Sequence, residues 1–269
     1  MDTLKLPRRS STRLGIDLGV IAFGAFKIGR NTQTKYAQPY ALPSDAEVER
    51  LLDQVRACGA NLIDTAPAYG SSETRLGALL QPSGGMLIST KVGERFEHDT
   101  SSYDFSPRAV RLSVQESLTR LRRTKLDLVC VHSDGSDRRI LERDGTIGTL
   151  RELQAEGLIS RIGFSGKTVE GNRLALMSGA VDALIVEFHP LDDSHRSVIR
   201  EAHERGVAIL VKKPLASGRV PPKEAIPFCL AEPGVTTLVI GTLSRENFAE
   251  NCRLAVEFEQ NRSEPNSTI

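Results

Sequence analysis

The chain has 269 residues, with 35 Lys and Arg against 34 Asp and Glu and a net charge of +1. That balance excludes the strong basic excess of a dedicated nucleic-acid or membrane-surface binder. A 39% apolar share with 26% charged residues excludes disorder.

Short apolar runs alternate with amphipathic stretches from one end to the other. Met1–Arg9 lacks the apolar core of a signal peptide, and a cytoplasmic location is expected. The first strand is predicted at Leu18–Ala22, followed by a polar loop at Arg30–Pro43. Ser44 before Asp45-Ala46-Glu47 predicts a capping box opening a helix with Val48, Leu51, Leu52 and Val55 on its buried face. Strand Asn61–Ile63, helix Ser72–Leu80 and strand Met86–Ser89 come next. Ser106-Pro107 opens a helix to Arg123, with the proline where a missing N–H costs nothing. The alternation continues as strand Leu126–Val131, helix Ile147–Glu156, strand Ile159–Phe164 and helix Val169–Ser178. Strand Ala183–Glu187, helix Asp193–Arg205, strand Val207–Val211, helix Pro222–Ala231, strand Thr237–Ile240 and helix Arg245–Glu259 complete it. Gln260–Ile269 reads as a frayed tail. Gly59, Gly157, Gly179, Gly206 and Gly234 stand as C-terminal helix stops.

Eight strands, mostly apolar on consecutive residues, predict a parallel sheet covered on both faces. Gly24-Ala25-Phe26-Lys27-Ile28-Gly29 lacks the GxGxxG turn of a doubly wound fold, which leaves an α/β (β/α)8 TIM barrel as one domain over 1–269. Cys58, Cys130, Cys229 and Cys252 are too far apart for a zinc or redox motif and read as buried small apolar side chains. No run approaches the roughly 20 apolar residues of a membrane helix.

In such a barrel the C-terminal strand ends carry the chemistry. They offer Asp64 with Tyr69 following, Lys91, His132, Ser165, Glu187 with His189, Lys212-Lys213, and Gly241-Thr242. A free phenol near pKa 10 is a poor acid at neutral pH. A neighbouring ammonium lowers that value, and a carboxylate holds the ammonium in place. A histidine in reach orients the oxygen that receives the proton. Asp64, Tyr69, Lys91 and His132 therefore suit carbonyl reduction.

Asn61–Glu73, reading NLIDTAPAYGSSE, strongly resembles the strand-two signature of the aldo-keto reductase superfamily. The resemblance continues at Ile88–Gly93, Leu126–His132, Ile162–Ser165 and Val239–Thr242 with Ala249-Glu250-Asn251. It implies a metal-free TIM barrel that reduces small aldehydes and ketones with NADPH. By position, Tyr69 is implied as general acid, with Lys91 and Asp64 lowering its pKa and His132 orienting the carbonyl. Gly24 and Lys27 are implied along the nicotinamide–pyrophosphate channel, Ser165 at the carboxamide, and Pro214-Leu215 along the pyrophosphate. Glu187 and Lys212 belong to the same cofactor set. Gly241, Thr242, Ser244 and Arg245 are implied at the adenosine phosphate, and Glu250 and Asn251 at the adenine. Phe26 and Tyr103 are candidates for the substrate pocket.

The departures from the family pattern are local. Gly166 stands where a carboxamide residue is usual, Ile185 replaces a glutamine, and Asn247 replaces an arginine. Lys212 replaces the aromatic ring under the nicotinamide, unless it turns away or meets a phosphate or Glu187. The short segment after strand seven, Ala216–Pro221, predicts an open pocket. Other functions compatible with the strand ends are a non-catalytic nicotinamide-binding barrel, a Schiff-base aldolase using Lys91 or Lys212, and a metal hydrolase using Asp64, His132, Glu187 and His189.

Overall fold

The computed structural model describes residues 5–34, 38–81 and 85–263. Eight parallel strands close into a barrel: β1 (Ile21–Gly24), β2 (Leu62–Asp64), β3 (Leu87–Val92), β4 (Leu126–His132), β5 (Ile159–Ser165), β6 (Ala183–Glu187), β7 (Ala208–Lys212) and β8 (Thr237–Ile240). Each strand pairs with its neighbours in sequence, and β8 closes the ring on β1 through Leu238↔Ile21 and Ile240↔Phe23. The helices are α1 (Asp45–Ala57), α2 (Ser72–Leu79), α3 (Pro107–Leu121), α4 (Asp137–Glu142), α5 (Thr146–Ala155), α6 (Val169–Met177), α7 (Arg196–Glu204), α8 (Pro222–Leu230) and α9 (Arg245–Ser263).

Two apolar layers result from the period-two geometry of a strand. Ile21, Phe23, Ile63, Val129, Val131, Leu184, Val186, Ile209 and Val211 face the helices. The alternate residues Ala22, Leu62, Leu128, Cys130, Ala183, Ile185, Ala208, Leu210 and Val239 fill the barrel interior, joined by Leu14 and Leu18. Both faces are thus dry, which is why the strands read as continuous apolar runs. Continuing the inward face by two residues arrives at Gly24, Asp64, Lys91, His132, Ser165, Glu187, Lys212 and Gly241. The mouth is therefore built from the residues that end each inward column.

Ser44 caps α1 as expected, accepting from Glu47 N while Glu47 returns a bond to Ser44 N at 2.7 Å. Several predicted elements change. Leu18–Gly19 leaves the first barrel strand and pairs antiparallel with Arg8–Arg9, and β1 starts at Ile21. Helix α9 runs through Ser263 rather than stopping at Glu259, where Glu259 ties Arg9 (2.5 Å) and Arg262 (2.8 Å). The tail from 264 lies outside the described residues. Gly234 has no positive φ; a Cβ there would lie 2.5 Å from the Ile199 carbonyl oxygen, so close approach rather than a helix stop requires glycine. All four cysteines are buried and free. Among the described residues no helix is long and apolar enough to cross a membrane.

Candidate active site

A cavity of about 610 Å3 opens at the C-terminal mouth of the barrel, lined among others by Gly24, Phe26, Asp64, Tyr69, His132, Glu187, Lys212 and Gly241. The loop after β2 delivers Tyr69 to it. Pro67–Tyr69 forms one 3-10 turn, and Gly70 follows at φ +60°. A Cβ on Gly70 would sit 2.2 Å from the Gly29 carbonyl oxygen, and one on Gly29 would sit 2.2 Å from Ser72 N. Two glycines let these loops touch, and Ser71 N donates to Gly29 O at 3.1 Å to lock them. The tyrosine ring is then held edge-on by Phe26, at 5.0 Å between centroids, and by His132 at 6.2 Å.

Lys91 and Asp64 form a buried pair beside it. Lys91 Nζ donates to Asp64 Oδ1 (2.8 Å), Asp64 Oδ2 (2.7 Å) and the Thr65 carbonyl oxygen (2.7 Å), and it also hydrogen-bonds the Tyr69 hydroxyl. Ser89 Oγ donates to Asp64 Oδ1 at 2.9 Å. The same ammonium lies 4.7 Å from the centroid of the Tyr69 ring. Burial by itself would depress Lys91, but Asp64 and then Tyr69 outweigh it and hold the amine charged, above its ordinary range. Asp64 and Lys91 do not together lower the Tyr69 phenol as the sequence suggests. Burial pushes it up to about 12, Asp64 adds to the rise, and Lys91 alone among these opposes it. The expected lowering holds for Lys91 and not for Asp64, and it is outweighed by burial of the phenol together with the nearby carboxylate.

His132 lies across the mouth with Nδ1 2.7 Å from Glu94 Oε2. Burial lowers the histidine and Glu94 only partly restores it, so the ring is neutral at neutral pH. Nδ1 approaches the carboxylate without hydrogen-bond alignment, and a neutral ring with its proton on Nδ1 toward Glu94 leaves Nε2 bare. Glu94, held down to about 2 against its burial by bonds from His132 and Ser101, is a site residue that sequence reasoning missed. It sits on an antiparallel hairpin, Glu94–Glu97 with Thr100–Tyr103, inserted after β3. His98-Asp99, both at positive φ, forms its two-residue turn without the Asn-Gly or Asp-Gly pair that marks such turns in a sequence. Arg30, over the Phe96 ring at 3.2 Å from its centroid, and Lys167, which lines the cavity, were missed as well.

On the opposite wall Ser165 is buried and accepts from Lys212 Nζ at 3.2 Å, and the Gly166 carbonyl accepts from the same ammonium at 3.1 Å. Lys212 therefore does not meet Glu187. Lys213 does, and Glu187 also contacts His189 Nε2 at 3.2 Å. Burial, then Lys213, lowers Lys212 to about 8. A folded-state value below the unfolded one means the folded protein carries a cost at every pH below about 8. That cost is relieved as pH rises from about 8 toward 10.5, where only the unfolded chain still holds the proton. Lys212→Met should therefore raise stability at pH 7 by about 1–2 kcal/mol after solvent screening. Thermal melts at pH 7 and pH 10 check this, with the gain shrinking at the higher pH. Of the two lysines compatible with imine chemistry, Lys91 is fixed as an ammonium and Lys212 alone is depressed.

At Gly166 a Cβ would meet Asn172 Oδ1 at 2.5 Å. Asn172, from α6, accepts from Gly166 N at 3.2 Å and contacts His195 Nε2 at 3.0 Å. A carboxamide thus reaches this corner from six residues downstream. Ile185 points into the dry barrel interior.

The remaining predicted cofactor residues are scattered around the mouth. Gly24 and Gly241 line the cavity with bare backbone, whereas Lys27 turns toward the Tyr40 ring, 5.3 Å from its centroid. Pro214 is buried, and Leu215 packs against the core. Thr242 Oγ1 accepts from Ser244 N at 3.1 Å, and Ser244 Oγ accepts from Asn247 N at 3.0 Å, capping α9. Arg245 is exposed, 3.8 Å from Glu246. Glu250 is exposed and engaged by Arg253 at 2.6 Å, while Asn251 is buried. Tyr103, on the inserted hairpin, lines the cavity and stacks on Phe105. The described residues hold no cluster of three or more His, Cys, Asp or Glu able to bind a metal.

Comparison with known proteins identifies the family and the barrel. The crystal structure of a candidate aldo-keto reductase from Pseudomonas aeruginosa is 39% identical, with a TM-score of 0.87 over 96% of this chain and 98% of that one. L-galactose dehydrogenase of Arabidopsis thaliana is 30% identical over 227 residues, 80% of this chain and 67% of the relative. The NADH-specific methylglyoxal reductase of Escherichia coli is 28% identical over 186 residues, 64% of this chain, and the match spans only 57% of that relative's length. Residues 20–228 match the profile of the Aldo/keto reductase family, which takes in seven of the eight barrel strands and the whole Asp64–Tyr69–Lys91–His132 constellation, and the chain belongs to that family.

Proposed function

We propose that this protein reduces the carbonyl of small aldehydes or ketones to alcohols with NADPH, and that Tyr69 is the proton donor. The observation that carries this reading is the buried Lys91–Asp64 pair beneath the Tyr69 ring, in one cavity with His132. The residues present suit a nicotinamide dinucleotide. The bare backbone of Gly24 and Gly241 allows a flat ring to lie close, and Ser165, buried behind the cavity wall at Gly166 and Lys212, is the hydroxyl assigned to its carboxamide. The capped start of α9 favours an anionic phosphate. Arg245, exposed beside it, favours the additional phosphate of NADPH.

The bound cofactor supplies the hydride. The protein's own groups handle the proton. Tyr69, protonated across the neutral range, donates its proton to the carbonyl oxygen as negative charge develops there. Lys91 stabilises the phenolate that remains, and Asp64, Thr65 and Ser89 fix the ammonium so that it cannot turn away. His132, with Nδ1 turned to Glu94, offers Nε2 as acceptor to the new alcohol hydroxyl. A ring that gained a second proton would donate to the carbonyl oxygen instead.

A panel of aldehydes and ketones with NADPH and with NADH, followed by loss of nicotinamide absorbance, tests the assignment. Turnover of several small carbonyls with NADPH is the expected result. Tight cofactor binding with no consumption across the panel would instead identify a non-catalytic barrel.

A further inference from the structure

Charge is unevenly settled around the mouth. Asp64 is paired with Lys91, Glu187 with Lys213, and Glu94 faces His132 and Arg30. Lys167 rests on the Asp134 carbonyl oxygen and lies over the Tyr103 ring, and Lys212 is another cation left without a carboxylate. Among the described residues its ammonium has no carboxylate partner and rests on two neutral oxygens, Ser165 Oγ and Gly166 O. Ser165 is the hydroxyl assigned above to the carboxamide, so this cation would stand beside the nicotinamide ring of a bound cofactor.

Resting on that placement, we propose that Lys212 makes the site discriminate between the redox states of its cofactor, retaining the reduced form and rejecting the oxidised one. The two forms carry the same phosphates, ribose and adenine. They differ at the ring, which is neutral when reduced and cationic when oxidised. The affinity difference between them therefore reads the electrostatic field at the ring. An ammonium within a few ångströms of a cationic ring, in a half-buried site, weakens its binding at pH 7 by up to about tenfold, beyond which the lysine sheds its proton instead. The reduced ring feels no such repulsion, and its carboxamide oxygen can accept from the ammonium. Lys213 cannot substitute, because Glu187 neutralises it. The arrangement favours occupancy by the reduced cofactor and helps expel the spent one, while opposing the positive charge that develops on the ring as hydride leaves.

Isothermal titration calorimetry with NADPH and with NADP+ tests this, since the chain has no tryptophan to report binding by fluorescence. At pH 7 the wild-type protein should bind NADPH up to about tenfold more tightly than NADP+. Lys212→Met should bring the ratio toward unity, chiefly by tightening NADP+, and Lys212→Arg should keep the wild-type ratio. Equal affinity of the wild type for both forms would overturn the proposal without any variant. So would a Lys212→Met protein, folded by its thermal melt, with an unchanged ratio. Binding of neither form would overturn the cofactor placement and this inference together, whereas an unchanged ratio with firm binding overturns this inference alone.

Discussion

Tyr69→Phe should lower the rate of carbonyl reduction by about 10²–10⁴-fold, the span usual for loss of a positioned acid. NADPH affinity should stay close to that of the wild type. Phenylalanine keeps the ring that packs edge-on against Phe26 at 5.0 Å and His132 at 6.2 Å, so the loop and cavity persist. Only the hydroxyl is lost. Steady-state rates, paired with calorimetric NADPH binding, separate chemistry from binding. Retention of more than about a tenth of the wild-type rate would remove Tyr69 from the acid role, because that loss is smaller than general acid catalysis provides. A phenol held at about 12 also predicts no alkaline fall in reduction rate from Tyr69 itself through the neutral range.

The second large effect concerns the pair beneath the phenol. Lys91→Met should destabilise the protein by about 3–5 kcal/mol, because it leaves the Asp64 carboxylate buried without its cation. Asp64 is 5% exposed and Lys91 2%, so water cannot take the place of the missing partner. Asp64→Leu combined with Lys91→Met should recover most of that stability, since an apolar pair of similar volume avoids the desolvation cost of two charges. Activity should be lost in both proteins, as neither retains a cation to stabilise the Tyr69 phenolate. Denaturant melts and steady-state rates on the single and double variants measure the two quantities independently. Recovered activity in the double variant would show that the pair is structural alone.

Asp64, the lysine ending β3 and the histidine ending β4 were legible because the chemistry of such a barrel sits at its strand ends, and Tyr69 through the signature that follows Asp64. Once Leu62, Leu87 and Leu128 are taken as inward, Asp64, Lys91 and His132 must follow on the same face at the mouth. Glu94 was not legible in that way. It belongs to no barrel strand, and its contact with His132 depends on how a hairpin of four residues a side folds back over the opening. The sign of the Tyr69 shift was also beyond the sequence, since it depends on how thoroughly the loops exclude water from the phenol.

The sequence by itself determined the barrel and the ring of residues at its mouth, because apolar periodicity and helix-capping signals act over short stretches of chain. The tertiary structure alone decided which charges are partnered. Lys212 and Lys213 are adjacent in the chain and chemically identical, yet one neutralises Glu187 while the other stands uncompensated on Ser165 and Gly166. Ion pairing depends on distances of a few ångströms between strands far apart in sequence, and only the closed barrel sets those distances.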